Sequence, residues 1–185
     1  MSMFGDGLDK AVRRSFTRPI PKSAGARVRY LVKRLEGTEP VARALGVSRR
    51  TVERYLKGEI KKPRPGLAAR LESEVNRWWQ PRVRAEARRR AATTGGIVVD
   101  TRARIGYTAP IGSTDQDRVR HLTVALPPRY AARLFDAQQR GATDQHLREI
   151  TAEALKEVYF QDSGRRAGSL EEVRLTDIEH LDFGL

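Results

Sequence analysis

Apolar residues recur every three or four positions in the first half of the chain. One stripe covers residues 24–35 and a second covers 67–79, and this period predicts helices. Gly37 follows the first stripe and Pro81 follows the second, and both residue types end helices. The two tryptophans lie on the second stripe, which favours core packing over base stacking.

In the second half of the chain, apolar and polar residues alternate over several short segments. Residues 97–99 predict a short strand. Residues 100–104 predict a turn that brings residues 105–107 back beside it. Residues 120–126 alternate apolar and polar side chains as a half-buried strand does, and two apolar stripes after Pro127 predict two helices. This strand–helix–helix order is that of a ribbon–helix–helix unit, which folds as a dimer with paired strands. The pattern therefore allows a homodimer.

These patterns predict an α+β fold, mainly α, with an N-terminal helix-turn-helix domain, then a short β-hairpin or strand with two C-terminal helices. The expected boundaries are an N-terminal arm with two prolines at 1–21, a helix-turn-helix domain with a basic helix at 22–92, short strands and an exposed loop at 93–117, a strand–helix–helix domain at 118–160 and a solvated acidic tail at 161–185.

Residues 38–56 have the spacing of a helix-turn-helix. Ala42 allows a close helix crossing, Gly46 suits a tight turn, and Ser48 can cap the second helix. The N-terminal residues of such a helix face the bases of the major groove. An ordinary basic helical hairpin is the alternative.

Several basic and hydroxyl side chains are candidate DNA contacts in this half. Arginine can bond guanine bidentately, and lysine and arginine can neutralise phosphates. The candidates are Ser48, Arg49, Arg50, Thr51 and Arg54 on the second helix, Lys57, Lys61, Lys62 and Arg64 in the loop after it, and Arg88, Arg89 and Arg90 on the basic helix. The alternative for the loop is a solvated linker. The alternative for the basic helix is a solvated face without a ligand.

Charge supports this interpretation. The 185 residues include 36 Lys and Arg against 23 Asp and Glu, a net charge of +13. Residues 1–110 hold 26 basic against 10 acidic residues, whereas residues 111–185 hold 10 against 13. A balance this basic is normally matched by a polyanion, and nucleic acid is the usual one.

Composition also excludes several functions. The sequence has no cysteine and three scattered histidines, so thiol chemistry, disulfides and a metal site are not expected. No catalytic constellation is present, and no apolar stretch reaches the length of a signal peptide or a membrane span. The residues alone therefore predict a cytoplasmic, non-enzymatic DNA-binding protein, such as a transcription regulator or a plasmid-maintenance protein.

Several motifs together resemble a known family, the telomere-protecting terminal proteins (Tpg) of linear actinobacterial chromosomes and plasmids. The resemblance covers nearly the whole chain. The motifs are Thr17–Gly25, Arg49–Tyr55, Ile60–Pro65, Ala91–Val98, Gly106–Asp115, His121–Pro128, Tyr159–Asp162 and Asp177–Leu181.

The resemblance implies a protein primer that stays covalently attached to 5′ ends of linear DNA and is nucleoid-associated at those ends. It implies that the hydroxyl of Thr114 accepts the first deoxynucleotide. The implied partners are telomeric DNA with its single-stranded overhang, a telomere-associated protein and a DNA polymerase, and the polymerase site would supply the dNTP and Mg²⁺. The protein would hold no cofactor of its own and would be a substrate, not an enzyme.

The residues themselves leave the priming hydroxyl open. Tyr107, Thr108, Ser113 and Thr114 all carry hydroxyls in one region. The nearby carboxylates of residues 115 and 117 favour solvation of this loop over metal binding.

Overall fold

The computed structural model describes residues 2–108, 114–161, 163 and 170–185, with backbone alone for 114–117. The fold is mainly helical with one small antiparallel sheet, as the sequence predicts. Two compact units are present: Thr17–Pro81 forms one, and Met1–Phe16 with Arg82–Leu185 forms the other. We call them the inserted unit and the sheet unit.

The inserted unit contains four helices, α2 (Ala24–Arg34), α3 (Thr38–Leu45), α4 (Arg49–Leu56) and α5 (Pro65–Trp78). Their apolar stripes meet in one core that includes Val28, Leu31, Val41, Val52 and Leu71. The tandem tryptophans pack against this core, as the sequence favours. Burial of these stripes supplies most of the force that holds four short helices together.

The base of the inserted unit is closed by polar contacts between its two chain ends. The side-chain carbonyl of Gln80 accepts a hydrogen bond from the Thr17 backbone N–H at 3.0 Å, and the Trp79 indole N–H donates to the Arg18 carbonyl at 3.2 Å. Gln80 itself has a φ of 44°, a conformation unusual for a residue with a side chain. The segment that enters the unit is therefore bound to the segment that leaves it.

The sheet unit contains α1 (Met3–Arg14), α6 (Pro81–Arg90), β1 (Ile97–Thr108), β2 (Thr114–Leu126), α7 (Pro128–Gln139), α8 (Asp144–Leu155) and β3 (Glu172–Gly184). Two π-helical turns, Ala91–Gly95 and Lys156–Phe160, follow α6 and α8. The strand order is β2-β1-β3, and both pairings are antiparallel. Helices α1, α7 and α8 pack with the sheet, and the outward side chains of β1, such as Val98 and Arg102, are exposed.

Two expectations about the ends of the chain are wrong. Residues 1–21 are not simply an arm, because Phe4, Leu8, Ala11 and Val12 form a buried stripe of α1. Residues 161–185 are not a solvated tail, because β3 lies beside β1 and buries apolar side chains such as Phe183. The Phe4 and Phe183 rings, 6.3 Å apart, join these two chain ends in one core.

The strand expectations also need correction. Residues 97–108 form one continuous strand and do not turn back at 100–104, because Thr101 is buried and donates a hydrogen bond from its hydroxyl to the His180 carbonyl at 3.0 Å. Strand β2 begins at Thr114, before the expected residue 120, so part of the expected exposed loop 108–117 is strand. Strand β2 pairs with β1 of the same chain, so it does not need the second chain of a ribbon–helix–helix dimer.

Candidate nucleic-acid interface

The helix-turn-helix predicted over residues 38–56 is present as α3 and α4. Gly46 ends α3 in the left-handed conformation with φ 60° and ψ 43°, which glycine adopts without the steric cost of a side chain. The Val47 N–H then donates back to the Ala42 carbonyl at 3.0 Å. These bonds satisfy the last carbonyls of α3 and direct the chain sharply into α4.

Helix α4 is oriented by its apolar side. Val52 and Tyr55 are buried in the core of the inserted unit. The basic residues Arg50 and Arg54 lie outside that core and are exposed. Burial of two residues therefore presents the basic face of a two-turn helix to solvent.

The N-terminus of α4 is capped and exposed. The Ser48 hydroxyl accepts a hydrogen bond from the Thr51 N–H at 3.2 Å, and the two hydroxyl oxygens lie 2.9 Å apart. The remaining amides at this end point outward and carry the positive pole of the helix dipole. This end therefore attracts anions beyond the charge of its arginines.

The three arginines of α4 differ in their partners. Arg49 Nε lies 2.9 Å from Glu53 Oε1, and Arg54 Nε lies 3.1 Å from Glu59 Oε2, both at exposed positions. Such exposed pairs contribute little and exchange readily for a phosphate or a base. Arg50 is exposed and makes no ion pair or side-chain hydrogen bond with any described residue. It is the cation of this helix that is free to bind a ligand without first losing a partner.

The loop after α4 extends the same basic surface. Lys57, Lys61, Lys62 and Arg64 are exposed, and within the described part of the chain none of them makes an ion pair. The loop lies between α4 and α5, so it is held at both ends by core helices. Cations placed beside a recognition helix commonly contact the phosphates that flank the major groove.

The predicted arginines of α6 are divided by the structure. Arg88 is half-buried, lies over the Phe135 ring at 5.7 Å, and shares the Asp9 carboxylate with Arg84, each at 3.4 Å. Burial and the neighbouring Arg84 lower the pKa of Arg88, while Asp9 opposes that change. Arg88 therefore helps to join α6 to α1.

The other two arginines of α6 are exposed. Arg89 binds Glu86 through two nitrogens, at 2.7 and 3.0 Å. Arg90 makes no hydrogen bond from its side chain to a described residue. Sequence periodicity did not separate Arg88 from these two, because the difference comes from Asp9 and Phe135, which are distant in the sequence.

Thr114 is the first residue of β2 and pairs with Thr108, the last residue of β1. Tyr107 pairs with Asp115 across a register shift in the same ladder. The expected loop residues 109–113, with Ser113 among them, lie outside the described residues. The backbone of Thr114 is thus at the distal end of a long hairpin, at the opposite end of β1 from α6.

Sequence reasoning missed one feature of this unit, a groove along α6 that Arg82 and Arg90 line. The positions 82, 86 and 90 recur every four residues, which is the signal that places them on one face. Among the described side chains, no cluster of three His, Asp or Glu residues has the geometry of a metal site. No helix in the described part of the chain has the length and apolar character needed to cross a membrane.

Comparison of the chain with family models, with curated proteins and with solved structures finds no match.

Proposed function

We propose that this protein is a DNA-binding terminal protein that primes replication at the ends of linear DNA. The observation that carries the DNA-binding part is the exposed face of α4: its N-terminus is capped by Ser48 and carries Arg49 and Arg50, and Arg54 follows in the last turn. Arg49 and Arg54 are weakly paired, and Arg50 makes no ion pair with a described residue. In a duplex complex the N-terminal end of α4 enters the major groove, and the lysines at 57, 61 and 62 contact phosphates.

The priming part rests on the resemblance and is supported by the position of Thr114. A hydroxyl that enters a polymerase site belongs at the end of a projecting element, and Thr114 begins β2 at the distal end of the hairpin. Twelve residues of β1 place this end about 36 Å from the start of the strand. The proposed priming residue is thus far from α6, at the end of the sheet where β3 begins beside Thr108.

The proposed reaction is a phosphoryl transfer. The Thr114 oxygen attacks the α-phosphorus of a deoxynucleoside triphosphate, the O–P bond forms, and the bond to the bridging oxygen breaks with release of pyrophosphate. The hydroxyl proton passes to a base or water in the polymerase site. Mg²⁺ and the activated geometry belong to the polymerase, so this chain acts as substrate and primer at chromosome or plasmid ends.

Incubation with labelled deoxynucleotide, telomeric template and an extract containing the polymerase tests the proposal. The wild-type chain should take up label covalently, and Thr114→Val should take up none. Thr108→Val is the matched control, because it removes the same hydroxyl from the directly paired residue and should leave labelling unchanged. A chain that binds duplex DNA but takes no label would instead be a non-covalent regulator.

A further inference from the structure

A groove of about 560 Å³ runs along α6 in the sheet unit. Its floor is made of small and apolar residues, Val83, Ala87 and Ala91 on the helix and Gly95 and Gly96 after it. A volume in the range of roughly 300–1,000 Å³ holds ligands of drug size, which includes one or two nucleotides of a single strand. A duplex is too wide for it.

One end of the groove lies where two backbone segments approach closely. Gly96 has a φ of 70°, and a Cβ there would lie 2.2 Å from the Leu126 carbonyl oxygen. The π-helical turn Ala91–Gly95 brings the chain into this close approach, and such turns often accompany functional sites. Only a residue without a side chain fits here, so the backbone itself forms this wall.

Two cations flank the groove. Arg82 and Arg90 are exposed, and neither makes an ion pair or a side-chain hydrogen bond with a residue that the structure describes. Eight residues of helix separate them by about 12 Å along the axis. The carboxylate between them, Glu86, is bound bidentately by Arg89, and these contacts together with the charge of Arg90 lower the pKa of Glu86.

The charge pattern selects the occupant. Three of the five arginines of α6 form ion pairs, whereas the two that line the groove form none with the residues that the structure describes. Their separation suits two phosphates of one strand that are not immediate neighbours better than one compact anion, and the small residues between them let a sugar or base approach the helix closely. Glu86 also lines the groove, but Arg89 offsets its charge, so the cations Arg82 and Arg90 set the preference for an anionic ligand.

We propose that this groove binds single-stranded DNA, with phosphates at Arg82 and Arg90 and a nucleoside on the floor of small residues. The proposal rests on the proposed function for the identity of the polyanion and adds a second, separate DNA site on the sheet unit. The groove lies at the end of β1 opposite Thr114. An overhang bound there is held away from the priming residue.

Binding of a labelled single-stranded oligonucleotide to the full chain tests the groove. Arg82→Gln with Arg90→Gln should weaken binding by about tenfold or more, and should reduce the slope of log K against log salt by about 1.4, as expected for two lost phosphate contacts. Arg140→Gln with Arg148→Gln removes the same charge from helices that do not line the groove and should change the affinity little.

A steric variant separates the groove from general charge. Ala87→Leu keeps every charge but fills the floor, and it should weaken oligonucleotide binding while duplex binding and the circular-dichroism melting curve stay unchanged. Unchanged single-strand binding by the Arg82/Arg90 variant, or equal competition by a glutamate-rich peptide, would overturn the proposal. Failure of the proposed function looks different, because the wild-type chain would then take up no deoxynucleotide label, whether or not the groove variants change single-strand binding.

Discussion

Thr108 and Thr114 are paired residues at the distal end of the β1–β2 hairpin. They carry the same hydroxyl on adjacent strands, yet the resemblance assigns priming to Thr114 alone. Labelling of Thr114 and Thr108 variants can therefore be compared at two positions that share the residue type and nearly the same place in the fold.

Thr114→Ser should still accept a deoxynucleotide, because serine keeps the nucleophilic oxygen on the same carbon. Acid hydrolysis of the labelled variant should yield phosphoserine in place of the phosphothreonine of wild type. Phosphothreonine from the Thr114→Ser chain would place the linkage on another threonine.

Substitutions in α4 and in the loop after it should weaken DNA binding in two different ways. Arg50→Ala should cost about 1–3 kcal/mol on the preferred sequence and little on an unrelated one, because a bidentate base contact is lost. Lys61→Ala should weaken both sequences equally and reduce the salt slope by about 0.9, because it removes one phosphate contact. Fluorescence anisotropy at several salt concentrations measures both effects. Equal losses on both sequences for Arg50→Ala would argue against base contact by that residue.

The helix cap predicts a local stability defect. Ser48→Ala should lower the free energy of unfolding of the inserted unit by about 1 kcal/mol, because the Thr51 amide loses the Ser48 hydroxyl and keeps only the Ser48 carbonyl as an acceptor. Both tryptophans lie in this unit, so their fluorescence during urea unfolding reports on it selectively. Ser48→Asp, which keeps an acceptor, is the control and should unfold near the wild-type midpoint.

The hydrogen bonds of Asp144 should make the stability of the sheet unit depend on pH. Burial raises the pKa of this carboxyl, but hydrogen bonds from the Ser2 hydroxyl and from the amides of Gly5 and Phe4 outweigh burial, and the pKa is lowered. A carboxyl with a lowered folded-state pKa stabilises the fold above its unfolded pKa, and that contribution is lost as the pH falls through the folded value.

Asp144→Asn should therefore destabilise the protein at neutral pH and reduce the loss of stability on acidification below about pH 4. Circular dichroism during chemical unfolding at several pH values measures both. Glu149→Gln on the same helix is the control, since the described contacts of Glu149, with His146 and Gln145, are both exposed. Parallel stability curves for wild type and Asp144→Asn would contradict the assigned role.

The helix-turn-helix could be predicted because its determinants are local. Gly46, Ser48 and the apolar spacing around Val52 act within about ten residues, and each residue type suits one conformation. The Thr143 hydroxyl, which accepts from the His146 amide at the start of α8, is a second local determinant of this kind. Local signals of this kind can be recognised in a sequence without knowledge of the tertiary structure.

The sheet was harder to predict because its determinants are distant in sequence. Strand β3 carries many polar residues, such as Glu179 paired with Arg102 on β1, and such residues are typical of a solvated tail until a partner strand is known. Helix α1 was hidden by the prolines that follow it. The partners of Arg88 and the groove beside Arg82 depend on the same tertiary contacts, so residue spacing alone did not identify them.

The most direct measurement is the mass of this protein recovered from the ends of linear cellular DNA after complete nuclease digestion. The recovered chain should be heavier than the free protein by one deoxynucleotide, with the added mass on the peptide that contains Thr114. Recovery at the mass of the unmodified chain, or added mass on a peptide without Thr114, would contradict the proposed priming role of Thr114.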